Sequence, residues 1–246
     1  MNRFIRAVLF DLGSTLMYAR DPWAPIEAKA DQALTERLQA QGVNVSSSFA
    51  KEFRARLAEY YAQREQNLFE TSYLSVVREM LSERSYPNLP EAVIRSALDA
   101  LFAVTQKNWQ IEDDALLTLR VLESGGYHLG LVSNAGDSKD VFQLVERFRI
   151  EPFFDFVLTS AACSYRKPHP RIFELALAHW ALPAREIAMV GDLLNADILG
   201  AQKVGLYAIW IKRRAKASPE ELASIHPDAS VDRLDQIPHL LSELWK

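Results

Sequence analysis

Three short apolar runs of this sequence each end on polar residues that could take part in catalysis. Residues 7–10 precede Asp11, residues 129–132 precede Ser133, and residues 187–190 precede Gly191 and Asp192. Continuous apolar runs of this length are typical of buried parallel strands, and ligands bind beyond the carboxyl ends of such strands. We therefore expect a hydroxyl and two carboxylates to meet at one sheet edge. A carboxylate there can attack phosphorus or carbon as a nucleophile.

Other polar residues fit the same site. Asn134, directly after Ser133, offers an amide and backbone N–H groups to an anionic oxygen. Lys167 precedes Pro168 at a predicted helix start, where the helix dipole disfavours a cation unless an anion lies nearby. Asp197 follows Asp192 closely and adds a third carboxylate. Gathered carboxylates require a cation, and hard oxygen ligands favour Mg²⁺.

The elements that position these residues follow from the hydrophobic periodicity. From about residue 111 onward, apolar strands alternate with amphipathic helices, which predicts right-handed βαβ units and a parallel sheet. The ninety or so residues after Asp11 have helical spacing instead, as at Phe49, Phe53 and Leu57, without strand-like alternation. We expect an α/β fold with a Rossmann-like core at residues 1–17 and 108–246. A helical cap is expected at residues 18–107.

Composition narrows the class of protein. The 246 residues carry a net charge of −4, which argues against a general nucleic-acid binder. The single cysteine, Cys163, rules out an internal disulfide and fits a reducing compartment. The N-terminus lacks the apolar length of a signal peptide, and no apolar run approaches a membrane span. These features predict a cytoplasmic protein, a monomer or homodimer, without nucleic-acid or membrane partners.

Four segments in this order resemble the motifs of the haloacid dehalogenase superfamily of hydrolases, which are mostly phosphatases. The segments are FDLGSTL, LVSNAGD, YRKPHPRIF and MVGDLLNADILGAQKVG, so the resemblance covers nearly the whole chain. The helical insertion resembles the cap of the subgroup whose cap lies between the first two motifs. The resemblance implies that Asp11 is the nucleophile, and that Ser133 and Lys167 hold the phosphoryl oxygens. Asn134 is expected beside them as a further phosphate-binding residue.

The resemblance also implies a magnesium site. Asp11, the backbone carbonyl of Gly13 and Asp192 would bind the ion, and Asp197 would support the site. The expected function is hydrolysis of a small phosphorylated metabolite through an aspartyl-phosphate intermediate. The catalytic residues would be Asp11, Ser133 and Lys167.

One position departs from the motif. Phosphatases that this chain resembles usually read Asp-x-Asp, and the second Asp protonates the leaving group; here that position is Gly13. A positioned acid or base contributes about 10²–10⁴ in rate, so two alternatives stay open. One is a noncatalytic protein that binds a phosphate ligand, and the other is carbon–halogen hydrolysis, in which the halide needs no proton. The dehalogenases of the superfamily lack the metal-binding acid, whereas Asp192 and Asp197 are both present here.

Overall fold

A computed structural model describes residues 4–244 and contains a six-stranded parallel sheet with the strand order β5-β4-β1-β6-β7-β8. Its strands are β1 (Ala7–Phe10), β4 (His128–Ser133), β5 (Phe156–Thr159), β6 (Ile187–Gly191), β7 (Tyr207–Ile211) and β8 (Ala229–Val231). The central strand β1 pairs with β4 on one side and with β6 on the other, so the ends of these three strands are neighbours. This sheet confirms the expected Rossmann-like fold class.

The sheet is covered on both faces. Successive residues of β1 point to opposite sides, because side chains alternate along a strand. Val8 and Phe10 join one apolar cluster, whereas Ala7 and Leu9 join the other. The helices that follow the strands are α5 (Ala115–Ser124), α6 (Ser138–Arg147), α7 (Ser160–Cys163), α8 (Pro170–Leu177), α9 (Leu199–Lys203), α10 (Pro219–Ser224) and α11 (Ile237–Glu243).

Four helices form the inserted segment: α1 (Trp23–Ala40), α2 (Phe49–Asn67), α3 (Tyr73–Ser82) and α4 (Glu91–Thr105). Their apolar faces pack into a separate cluster that includes Leu34, Phe49 and Phe53. The helical spacing of the sequence predicted this packing. Among residues 4–244, no helix combines the length and the apolar character needed to cross a bilayer.

Two elements differ from the sequence-based expectation. The chain leaves and re-enters the sheet through a two-stranded antiparallel ribbon of β2 (Met17–Ala19) and β3 (Trp109–Ile111), which the sequence did not predict. Strands of three residues are too short to show a period. The alternation of strands and helices predicts an α-helix after Asp192, but this helix begins as a π-helix, Leu194–Ile198, followed by α9.

Candidate active site

Lys167 lies at the centre of the polar groups that end the middle strands. Its Nζ donates to Asp11 Oδ1 at 2.6 Å and to the Val132 carbonyl at 2.8 Å, and lies 2.7 Å from Asp197 Oδ1. Burial acts to lower the pKa of Lys167, but the two carboxylates outweigh it and hold the pKa above its usual value. The ammonium therefore stays charged, and it lies beside the group that the sequence identified as the nucleophile.

Three buried carboxylates form one cluster. Asp11, Asp192 and Asp197 each offer an oxygen, and these atoms lie within 4.8 Å of one another. Burial, followed by the charges of the other two carboxylates, raises the pKa of Asp192 to about 8. Burial also raises the pKa of Asp11 to about 6, against the opposing effect of Lys167. The single ammonium does not compensate three negative charges, so this donor set fits a divalent cation with oxygen ligands.

Asp197 reaches the cluster because of two local features. It lies in the π-helix, and π-helical turns are frequent at functional sites. Its Oδ2 accepts a hydrogen bond from the Leu193 backbone N–H at 3.0 Å. A Cβ atom at position 191 would come within 2.3 Å of the Asp197 carboxyl carbon, so only glycine fits there. The Gly-Asp pair that ends β6 thus makes room for Asp197 and positions Asp192.

The side chain of Asn134 positions Lys167. The Lys167 backbone N–H donates to Asn134 Oδ1 at 2.8 Å, and Asn134 Nδ2 donates to the Lys167 carbonyl at 3.0 Å. This pair of bonds uses both ends of the amide. Phosphate binding by Asn134 stays a prediction, since Nδ2 carries two hydrogens and the bond to Lys167 uses one of them. Ser133 is buried at the end of β4 and lines the same cavity as Asp11.

Gly13 lies under an indole ring. A Cβ atom built at Gly13 would lie 3.3 Å from the edge of Trp109. The described glycines with a positive φ are Gly42, Gly126 and Gly205, so the backbone at Gly13 could carry a side chain. The edge of Trp109 therefore crowds the first carbon of any side chain at this position. The sequence did not identify Trp109, because its role depends on the return of the chain from the inserted helices.

These groups line a cavity of about 370 Å³ between the sheet edge and the inserted helices. The inserted segment contributes Tyr73 and Phe102 to the lining, and α6 contributes Asp140. Burial, followed by the charge of Asp137, raises the pKa of Asp140 to about 7, although Gln106 donates to it and acts in the opposite direction. Sequence reasoning missed Asp140, because an acid in the first turn of a helix is common on structural grounds alone.

Polar contacts join the inserted helices to the sheet domain beside this cavity. Arg95 Nη1 donates to the buried carboxylate of Asp137 at 2.5 Å, and Lys139 Nζ donates to Asp99 at 2.8 Å. The Tyr73 backbone N–H donates to the Gly136 carbonyl at 2.9 Å. The cavity is therefore closed on this side by helix α4, the start of helix α3 and the loop that precedes α6.

The fold and the site together define a class of hydrolase. In this class a parallel α/β sheet carries a helical insertion, and a buried aspartate, a lysine and further carboxylates lie at the ends of its strands. A sequence model of haloacid dehalogenase-like hydrolases matches residues 5–205, and the chain belongs to this family.

Several known proteins are similar to this chain. The ribulose-1,5-bisphosphate 5-phosphatase of Halopiger xanaduensis is 30% identical over 96% of this chain and 99% of its own. The glyceraldehyde 3-phosphate phosphatase of Pyrococcus abyssi is 39% identical over 97 residues, which are 39% of each chain. The crystal structure of 2-haloacid dehalogenase from Pseudomonas syringae pv. Tomato superposes with a TM-score of 0.72 at 27% identity. The superposition covers 98% of this chain and 99% of the dehalogenase chain.

Proposed function

We propose that this protein is a magnesium-dependent phosphatase that acts on a small phosphorylated metabolite. The observation that carries this proposal is the contact of Lys167 with Asp11 in the middle of the three-carboxylate cluster. A dehalogenase needs a carboxylate nucleophile but no cation site. The additional carboxylates Asp192 and Asp197 therefore favour phosphoryl transfer.

The first step would transfer the phosphoryl group to Asp11. An oxygen of Asp11 attacks phosphorus, a new P–O bond forms, and the bond from phosphorus to the leaving oxygen breaks with its electron pair on that oxygen. Lys167 stabilises the phosphoryl oxygens by its charge, and the Ser133 hydroxyl donates to one of them. Asn134 keeps Lys167 in place through the two bonds to its backbone.

The second step would regenerate the carboxylate. Water attacks the phosphorus of the aspartyl phosphate and a new P–O bond forms. The bond from phosphorus to the Asp11 oxygen breaks with its electron pair on that oxygen, and inorganic phosphate leaves with one proton of the water while the other passes to solvent. Asp11, Asp192 and the Gly13 carbonyl would hold Mg²⁺, with Asp197 in support, and the ion would neutralise charge on the transferring phosphoryl group. With glycine at position 13, that residue supplies no proton to the leaving oxygen. We expect solvent water to supply it, so leaving groups that need no protonation should react best.

The substrate class follows from the similar enzymes and from the cavity. Relatives named as phosphatases of glyceraldehyde 3-phosphate and of ribulose bisphosphate support a small phosphorylated metabolite as the substrate. We propose that residues 18–107 act as a cap that excludes water and contacts the leaving group. The core would comprise residues 1–17 and 108–246, in a cytoplasmic monomer or homodimer.

Phosphate release with Mg²⁺ or with a chelator tests this function. Acetyl phosphate and activated aryl phosphates should be hydrolysed only with Mg²⁺, and Asp11→Asn should abolish turnover. Borohydride reduction followed by mass spectrometry should find Asp11 converted to homoserine, and a phosphoryl group that remains on Ser14 or Ser133 after this treatment would reassign the nucleophile. Halide release from 2-haloacids without Mg²⁺ would instead support a dehalogenase. Binding of phosphate esters without any turnover would support a noncatalytic ligand-binding protein.

A further inference from the structure

A second chamber lies beside the active-site cavity, among the inserted helices. It has a volume of about 220 Å³, against about 370 Å³ for the main cavity. Four side chains line both spaces: Tyr73, Phe102, Trp109 and Asp140. Since Trp109 also covers Gly13, this chamber begins beside the loop that follows the nucleophile. A leaving group bound there would meet aromatic ring faces and the Asp140 carboxylate.

Negative charge exceeds positive charge in the second chamber. Among the described residues that line it, Arg54 is the one cation, and its nitrogens already have partners. Arg54 donates to both oxygens of Asp31 at 2.8 Å, and its remaining terminal nitrogen lies 3.1 Å from Glu27. Two carboxylates, Glu27 and Asp140, line the chamber together with this one guanidinium, to which Asp31 is also bound. An anionic leaving group would find no uncompensated cation here.

A third chamber, which Lys167 also lines, has no excess of positive charge either. Arg64 and Arg166 line it, and both contact the buried carboxylate of Glu70. Glu65 and Glu221 line the same space. Lys167 lines this space as well, so with Glu70 included three cations face three carboxylates and their formal charges cancel. In the main cavity, Lys167 already faces Asp11 and Asp197.

We propose that this site selects phosphate monoesters whose leaving group carries no further negative charge, a specificity that rests on the phosphatase function proposed above. Leaving groups that carry hydroxyl or ammonium groups fit the second chamber, because Asp140 and Glu27 accept hydrogen bonds from these donors. A carboxylate or a second phosphate would be brought close to like charges. Such contacts discriminate strongly between ligands of the same shape. The second phosphate of a bisphosphate therefore makes it a poor ligand for this chain.

Competition between matched phosphate esters tests the inference on the full chain. Hydrolysis of acetyl phosphate in the presence of Mg²⁺ is the assay, and the competitors are glycerol 3-phosphate and glycerate 3-phosphate, which differ by one carboxylate. At pH 8 we expect glycerol 3-phosphate to compete at least about tenfold more strongly. Phosphoethanolamine should likewise compete more strongly than phosphoserine, which carries an additional carboxylate. Equal competition, or stronger competition by the carboxylates, would overturn the inference.

Two variants locate the source of the discrimination. Asp140→Asn should reduce the ratio between the two inhibition constants by several fold, since it removes a charge that both spaces share. Glu146→Gln is the matched control, because it removes a charge from an exposed position on the same helix outside the lining of either chamber, and the ratio should not change. If Asp140→Asn does not fold, Glu27→Gln tests the same chamber. An unchanged ratio in Asp140→Asn would show that this carboxylate does not select the leaving group.

The inference and the proposed function fail in different ways. If acetyl phosphate is not hydrolysed, the phosphatase function fails, and calorimetric titration with the two glycerol-type esters still measures ligand selection directly. If acetyl phosphate is hydrolysed and the charged and uncharged esters compete equally, the phosphatase function stands and the selectivity is wrong.

Discussion

Residue 13 is a glycine and has no side chain. A Cβ atom built on it would lie 3.3 Å from the edge of the Trp109 indole. Even the first carbon of a side chain there would require the indole to move by a few tenths of an ångström. Trp109 belongs to strand β3 of the ribbon, so this strand limits the space for a side chain at position 13. The contact also makes the effect of a side chain at position 13 dependent on the size of residue 109.

We predict that Gly13→Asp increases hydrolysis of alkyl phosphates, and that the increase is larger when Trp109→Phe is added. A positioned acid contributes about 10²–10⁴ in rate, and we expect about tenfold from the single variant because Trp109 hinders the new side chain. Rates over leaving groups of different pKa measure the effect, with Trp109→Phe alone as the control. No gain in either Gly13 variant, with equal rates for all leaving groups, would mean that the proton comes from another source.

A second prediction concerns the cation. Calorimetry should detect Mg²⁺ binding to the unmodified chain and much weaker binding to Asp192→Asn, because this substitution removes one of three clustered carboxylates. Asp232→Asn, at an exposed position after strand β8, controls for the loss of one charge. Equal affinity in Asp192→Asn would exclude Asp192 as a ligand.

The pKa of Asp140 gives a prediction about stability. Burial raises this pKa from 3.8 to about 7, so between these values the folded state binds more protons than the unfolded state. The Asp140 contribution to stability therefore falls as pH rises from about 4 to 7 and remains unfavourable above that range. Asp140→Asn should raise the melting temperature at pH 8 and leave it similar near pH 4. About 2–4 °C is expected for each kcal/mol in a chain of this size.

Melting temperatures of Asp140→Asn and of the control Glu146→Gln, measured from pH 4 to pH 8, test this prediction. Glu146 lies on the same helix and is exposed. A pH profile for Asp140→Asn that matches the unmodified chain would show that Asp140 titrates normally.

At the scale of elements, the end of strand β6 and the π-helix after it act as a unit. Gly191 leaves space for the Asp197 side chain, and the π-helical turn directs that side chain back to the strand end. The same segment fixes Asp192, whose backbone carbonyl accepts a hydrogen bond from Trp210 Nε1 at 2.8 Å. One short stretch of chain thus delivers two of the three clustered carboxylates.

Gly191→Ala should destabilise the protein by about 1–3 kcal/mol and also weaken Mg²⁺ binding. The reason is that its Cβ would lie 2.3 Å from the Asp197 carboxyl carbon, which is held by Leu193. Gly125→Ala, whose Cβ would approach no closer than 3.2 Å to its neighbours, is the control and should have a smaller effect. Thermal unfolding and calorimetry measure the two effects. Unchanged Mg²⁺ binding in Gly191→Ala would show that Asp197 does not support the ion.

At the scale of the whole molecule, the cavity depends on the docking of the helical insertion against the sheet domain. Arg95 supplies the partner of Asp137, whose side chain is only 2% exposed and also caps helix α6. The Tyr73 amide, which bonds to Gly136, lies on the same side. Hydrogen exchange at Tyr73 therefore reports whether the insertion is closed.

Arg95→Ala should increase the exchange rate of the Tyr73 amide by at least about tenfold, because an unpaired buried carboxylate costs about 1–3 kcal/mol. Arg78→Ala is a matched control: its partner Glu91 lies within the insertion, and both side chains are exposed. Equal exchange in the two variants would show that the Arg95–Asp137 contact does not hold the insertion closed.

Much of the fold was predictable because it depends on local patterns. The apolar runs before Asp11, Ser133 and Asp192 predicted neighbouring strands, and the 3.6-residue spacing predicted the inserted helices. The sequence did not predict two elements. The three-residue strands of the ribbon are too short to show a period, and a π-helix has the same local composition as an α-helix. The roles that the resemblance assigned to the site residues stay predictions.

The sequence by itself determined which groups lie at the strand ends, because parallel strands bring their carboxyl ends to one edge whatever the loops between them do. The tertiary structure alone decided how the space around those groups is filled. It directed the Asn134 amide to the backbone of Lys167, set Trp109 over Gly13, and enclosed Asp140 between two chambers. These contacts join residues far apart in the chain. Their geometry depends on how the ribbon and the helices pack, which no local pattern specifies.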